Sequence, residues 1–246
     1  MSKLDSTRRR FVAGAGGVGL TLATDASGIV EAAEKHAAAR KGGEKEVGAV
    51  EDLMREHGII RRAILIYHES ARKLRVNRDS VDPDALRRTA LLFRSFGEDY
   101  HEKKLEEAYI FPALKKAGGP AADYVDVLID QHRRGREITD YILAVTGKGV
   151  IGSTDVDVLA KVMDGIELMY EAHAAREDTI VFPAWKDALS TKELDEMSEK
   201  FEDIERAQFG KDGFEDAVAQ IGRIEQTLGL ADLAQFTPPP PPPLKR

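Results

Sequence analysis

Two stretches of this chain repeat one arrangement of histidine, acid and proline, and they constrain the fold more than any other feature. Tyr170 to Trp185 reads YEAHAAREDTIVFPAW, and Tyr100 to Leu114 reads YHEKKLEEAYIFPAL. In each copy a glutamate, Glu177 or Glu106, lies six residues before the proline of a Phe-Pro-Ala run, with a histidine, His173 or His101, just upstream. A helix turns about 100° per residue, so residues four apart share a face. His173 and Glu177 therefore project to the same side of one helix. The duplication predicts a helical protein with a twice-built metal-binding unit.

The remaining apolar residues are spaced for helices. A first helix over 50–75 carries Leu53, His57, Ile60, Ile64, Tyr67 and Ala71 at intervals of three and four, which turns His57 into the core. Asp82-Pro83 gives an N-cap and a first-turn proline for a second helix. This helix runs through His101, with Pro112 expected to kink or break it and Gly118-Gly119-Pro120 to end it. A third helix over about 121–145 turns His132 inward, and a fourth, from about Asp155, turns His173 and Glu177 inward. Ser190-x-x-Glu193 is a capping box opening a fifth helix, and a sixth runs from Phe214 to about Leu228. The reading is all-α: an up-down four-helix bundle over 48–190 and a C-terminal helical extension of two helices over 191–230. A proline-rich tail, 231–246, completes the chain.

The first and third helices each bring one inward histidine, while the second and fourth each bring a histidine and an acid. Burying four imidazoles and two carboxylates together without compensation is costly, and cations remove that cost. With no cysteine, any metal is held by nitrogen and oxygen. The net charge of −7 argues against general nucleic-acid binding. No apolar run is long enough to cross a membrane. Residues 1–26 read as a twin-arginine signal segment, because Thr7-Arg8-Arg9-Arg10-Phe11-Val12 resembles that export motif and a short Gly/Ala-rich apolar run follows. The expectation is passage through the twin-arginine machinery to the periplasm, with 27–47 left as a linker. Gly14 to Gly19 matches G-x-G-x-x-G formally, but lacks the flanking strand and helix that nucleotide binding needs.

Together, Glu56-His57, the His101–Leu114 run, His132, the HAARE of 173–177 and the second Phe-Pro make the chain resemble the hemerythrin-like family, whose HHE cation-binding domain is a four-helix bundle around a non-heme diiron centre. The resemblance implies His57, His101, His132 and His173 as terminal ligands of two irons, with Glu106 and Glu177 bridging them. It also implies open positions for oxygen, nitric oxide or peroxide. Two departures stand out. Oxygen carriers of the family have a further histidine four residues after the one on the third helix, where this chain has Arg136. That absence favours peroxide or redox chemistry, or a substitute ligand from His68, Tyr67 or Glu56. His101 and Glu106 are five apart, about 140° in a regular helix. Either a π-bulge realigns Glu106, or His101 is not a ligand. The expectation is a small-ligand-binding or sensing protein rather than an enzyme. The alternatives are a diiron oxidase or peroxidase and a structural bundle that recruits a partner through its proline tail. Glu-x-x-His, the signature of ferritin-like oxidases, occurs only at Glu98 to His101.

Overall fold

The computed structural model describes residues 47–242 and 244. The signal segment expected over 1–26, His36 and the linker up to residue 46 lie outside the described residues. Six helices account for the described fold, and there are no strands among these residues. Helix α1 spans Ala49–Val76. Helix α2 starts at Pro83–Leu92, continues as a wider π-helical stretch over Phe93–Ile110 and returns to α-helix over Phe111–Ala117. Helix α3 is Val125–Thr146. Helix α4 is Val156–Arg176, a single π stretch Glu177–Val181, and Phe182–Asp187. These four form the up-down bundle expected, and α5 (Thr191–Phe209) and α6 (Gly213–Leu228) extend it.

The punctuation follows local chemistry. The Asp82 side chain accepts from the backbone N–H of Asp84, and Ser190 and Glu193 close the capping box reciprocally. Gly210 ends α5 in the left-handed region at φ 67°, where a residue with a Cβ is strained. One expectation is corrected: Pro112 does not break α2. The preceding π turn is the reason. The N–H of Phe111 bonds the carbonyl of Glu106, five residues back, so the backbone is already widened where the proline ring enters. The fourth helix repeats this, with Phe182 N–H on the carbonyl of Glu177 and Pro183 next. The distance from acid to Phe-Pro that recurs in the sequence is thus the span of one π-type hydrogen bond followed by its proline.

Helices α5 and α6 cover α1 and α2. Phe201 stacks on Trp185 and meets Tyr109, while Phe209 packs edge-on to Tyr100. Arg62 Nε donates to Glu225 at 2.8 Å, Lys73 Nζ donates to the Leu228 carbonyl at 2.7 Å, and Arg55 lies over the Phe214 ring. Each large side chain removed from water here contributes on the order of 2 kcal/mol, so the extension is part of the folded body. Pro238 to Pro242 are exposed and belong to no helix or strand.

Glu205 joins α5 to the start of α6 by accepting the backbone N–H of Phe214 at 2.7 Å. Burial, with Asp212 and Glu56 nearby, pushes its carboxyl up to about 7. An acid with a raised folded pKa is favoured protonated. Stability is therefore greatest below its unfolded value, falls as pH rises toward 7 and stays low above it. Glu205→Gln keeps the acceptor and removes the charge. It is expected to melt higher than the parent at pH 8, by about 1 kcal/mol after allowing for partial solvent exposure, and to melt like the parent at pH 4.5. Equal differences at both pH values would exclude ionisation of Glu205 as the cause.

Candidate metal centre

All six residues expected at the site are buried, and the structure brings them to one place in the bundle interior. One ligand atom from each of Glu106, His132, His173 and Glu177 lies within 4.8 Å of the others, and His57, His101 and Glu106 form a second such group. Glu106 belongs to both. Glu177 also reaches both, with an oxygen 3.0 Å from His173 Nε2 and 3.5 Å from His57 Nε2. Glu106 holds one oxygen 3.4 Å from His101 Nε2 and the other 3.3 Å from His132 Nε2. The choice left open for His101 resolves in favour of realignment. The π stretch covers eighteen residues rather than a single bulge, and its wider turn carries both His101 and Glu106 inward despite their five-residue spacing.

Every histidine of the set is held from behind by its other ring nitrogen. His57 Nδ1 is 2.6 Å from Asp178, His101 Nδ1 2.6 Å from Glu56, His132 Nδ1 3.0 Å from Glu107, and His173 Nδ1 2.8 Å from Gln131. A carboxylate or amide oxygen can only accept, so each Nδ1 carries a proton, and each ring in its neutral, metal-binding form turns an Nε2 lone pair to the centre. Such outer partners fix the tautomer and orientation of metal-binding histidines. The partners follow a two-fold logic. The residue after each central acid, Glu107 or Asp178, holds the lone histidine of the next bundle helix, His132 or His57. The residue before each lone histidine, Glu56 or Gln131, holds the histidine of a Phe-Pro helix. The phenylalanines obey the same relation: Phe111 stacks on His132 and Phe182 lies against His57, with ring centroids at 5.5 and 5.2 Å.

Sequence reasoning did not assign these outer positions, although the Glu106-Glu107 and Glu177-Asp178 doublets were a usable signal. The substitute ligands considered fall elsewhere. Glu56 accepts from Tyr100 and His101, His68 is half-exposed and pairs with Glu167, and Tyr67 is buried in the core, its ring 6.0 Å from that of Phe93. Arg136 pairs with Glu107 at 2.6 Å and Glu102 at 3.2 Å. It thereby occupies the space among Glu102, Glu107 and His132, and steadies the carboxylate that orients His132. Tyr170 donates to Glu102 at 2.7 Å. Glu98 accepts from Thr139 and pairs with Arg94, outside both donor groups, and burial pushes it up to about 7.

The electrostatics of the centre call for positive charge. Both oxygens of Glu106 and both of Glu177 are buried without a hydrogen-bond partner, as is His101 Nε2. The Nε2 atoms of His132 and His173 face each other at 3.2 Å. Burial alone pulls the His101 and His132 imidazoles down, but the surrounding glutamates outweigh it and hold both well above the usual histidine range. Burial pushes Glu177 up, and His173 and His57 more than reverse this, leaving it well below the carboxylate range. Buried nitrogen and oxygen donors that converge without partners of their own suit a site for cations. Imidazole nitrogen and carboxylate oxygen suit first-row transition metals, iron among them.

The fold and this donor set define a helical-bundle metal-binding protein with a nitrogen- and oxygen-lined site. The chain belongs to the family of the hemerythrin HHE cation-binding domain, whose family model matches residues 48–185. It is also similar to uncharacterized proteins of Mycobacterium tuberculosis and Mycobacterium bovis, each 46% identical over 196 residues, covering 79% of this chain and 76% of theirs. No solved structure matches the chain. No helix among the described residues is long and apolar enough to cross a membrane.

Proposed function

We propose that the protein holds two irons and binds or senses a small oxidant or gas, namely oxygen, nitric oxide or peroxide. His57 and His101 would be the terminal ligands of one iron and His132 and His173 those of the other, with Glu106 and Glu177 bridging. The observation that carries this reading is the sharing of both glutamates: Glu106 turns one oxygen to each half, Glu177 turns one oxygen to histidines of both, and all four oxygens lack any other partner. When bound, iron supplies reversible electron transfer and an affinity for small ligands. The chain's own residues keep four Nε2 atoms aimed inward, and Phe111 and Phe182 wall the histidines with apolar surface. Burial of the whole set restricts access to molecules of a few atoms. Twin-arginine export of a folded, metal-loaded chain to the periplasm accords with the sequence of residues 1–26.

An oxidase or peroxidase is the second reading. A ferritin-like version of it is disfavoured by Glu98, which is bound to Thr139 and Arg94 instead of joining the donor groups. Metal analysis of the natively expressed chain is expected to find two irons per molecule. Its absorption spectrum is expected to show ferric charge-transfer bands that shift on adding azide or peroxide. A chain purified without metal, or with one iron and bands indifferent to both anions, would sink the proposal. Steady turnover of peroxide at a rate well above free iron would move the assignment to the enzyme.

A further inference from the structure

The two halves of the centre share one pattern of backing groups and differ in kind behind one pair of histidines. His57 and His132 are each backed by a carboxylate, Asp178 and Glu107, and each of those carboxylates pairs with an arginine, Arg61 or Arg136. Glu102 adds a further carboxylate 4.0 Å from His132 Nδ1, but it is taken up by Tyr170 and Arg136 and makes no hydrogen bond to the ring. His101 and His173 are not balanced: His101 donates to the carboxylate of Glu56 at 2.6 Å, whereas His173 donates to the amide oxygen of Gln131 at 2.8 Å. Glu56 is 1% exposed. Its other oxygen accepts from Tyr100 at 2.9 Å, and no lysine or arginine among the described residues ion-pairs with it. A buried carboxylate draws the Nδ1 proton more strongly than a neutral amide does, since charge-assisted hydrogen bonds are roughly twice as strong. The imidazole in front of it becomes the better electron donor.

We propose that Glu56 makes the two metal positions inequivalent, so that the metal at His57 and His101 is the more readily oxidised and the metal at His132 and His173 the more readily reduced. Glu56 acts through His101 and is a positioning residue. The inference rests on the two-iron reading above and adds to it an order of events: the first electron entering the oxidised centre settles at the His132–His173 half, and the second at the His57–His101 half.

Exchanging the two backing groups tests this, because Glu56→Gln and Gln131→Glu conserve shape. The iron-loaded full chain is titrated by spectroelectrochemistry, and iron content is measured on the same samples. In the parent, two one-electron steps are expected. Glu56→Gln raises the lower step by the equivalent of about a 10- to 100-fold change in equilibrium, roughly 60–120 mV for one electron, and narrows the gap. Gln131→Glu lowers the upper step and narrows it too. The double exchange restores the gap, which a merely structural role for either residue does not do. Two irons with steps unmoved by either exchange overturn this proposal alone. A parent chain without iron overturns the two-iron reading, and this inference with it. If Glu56→Gln fails to fold, Gln131→Glu alone decides: an upper step that does not fall overturns the proposal.

Discussion

Glu177→Ala is expected to leave the chain folded and unable to retain metal at either position. Glu177 presents one oxygen, Oε2, to both His57 and His173, on opposite sides of the centre, and neither of its oxygens has another hydrogen-bond partner. Its removal takes a donor from the His132–His173 group and an oxygen 3.5 Å from His57 Nε2, and leaves Glu106 as the one shared carboxylate. Losing an outer partner of a metal-binding histidine costs about 10- to 100-fold in affinity. Loss of a direct, charge-bearing donor is expected to exceed the upper end of that range for both metals. The fold should survive, because the apolar core around Leu53, Leu86, Ile142 and Ile166 does not depend on this side chain. Metal content after gel filtration, read beside the helical circular dichroism, is the measurement. Retention of both metals by a folded Glu177→Ala chain would refute the shared-carboxylate assignment, and loss of a single metal would confine Glu177 to one half.

Much of this centre was legible in the sequence because helical spacing is a reliable ruler. The stripe through Leu53, His57 and Ile60 placed His57 inside, and the four-residue step from His173 to Glu177 put both on one face. The ruler failed at His101 and Glu106, where α-helical geometry gave 140° of separation. What the local sequence does not display is the number of turns that are widened. A π turn loses nothing obvious in composition, and here it extends over Phe93–Ile110. The Phe-Pro pair is its visible trace: a proline ring clashes with the carbonyl four residues back in a regular helix, and a turn already bonded to the fifth residue avoids that clash. The backing groups were hidden for a different reason. Asp178 meets His57 across 121 positions of chain and Glu56 meets His101 across 45. Such contacts are set by how helices pack, not by spacing within one helix.

Gly135→Ala is expected to destabilise the protein although it replaces a poor helix former with the best one. In an open helix this exchange is worth nearly 1 kcal/mol in favour of alanine. Here a Cβ at position 135 would lie 2.0 Å from the Tyr170 hydroxyl oxygen and 2.9 Å from Cζ. The tyrosine cannot simply retreat. Its hydroxyl donates to Glu102, its ring meets Phe93 edge-on at 5.1 Å, and it lies against His173 at 5.4 Å. Moving it either breaks a buried hydrogen bond, leaving Glu102 short of a partner, or displaces a histidine of the centre. Overpacking of this kind costs about 1–3 kcal/mol, and the lost hydrogen bond adds about 1–3 kcal/mol for the unsatisfied acid. Against the propensity gain, a net loss of about 1–5 kcal/mol remains, a fall in melting temperature of roughly 2–20 °C for a chain this size. Tyr170→Phe in the parent is expected to be destabilising as well, because it leaves one oxygen of the buried Glu102 without its donor. Added to Gly135→Ala, however, it removes the atom in closest conflict, so the double variant should be more stable than the sum of the two single effects. A Gly135→Ala chain that melts at or above the parent temperature would mean that Tyr170 has room to move. The glycine would then serve no packing purpose beside the centre.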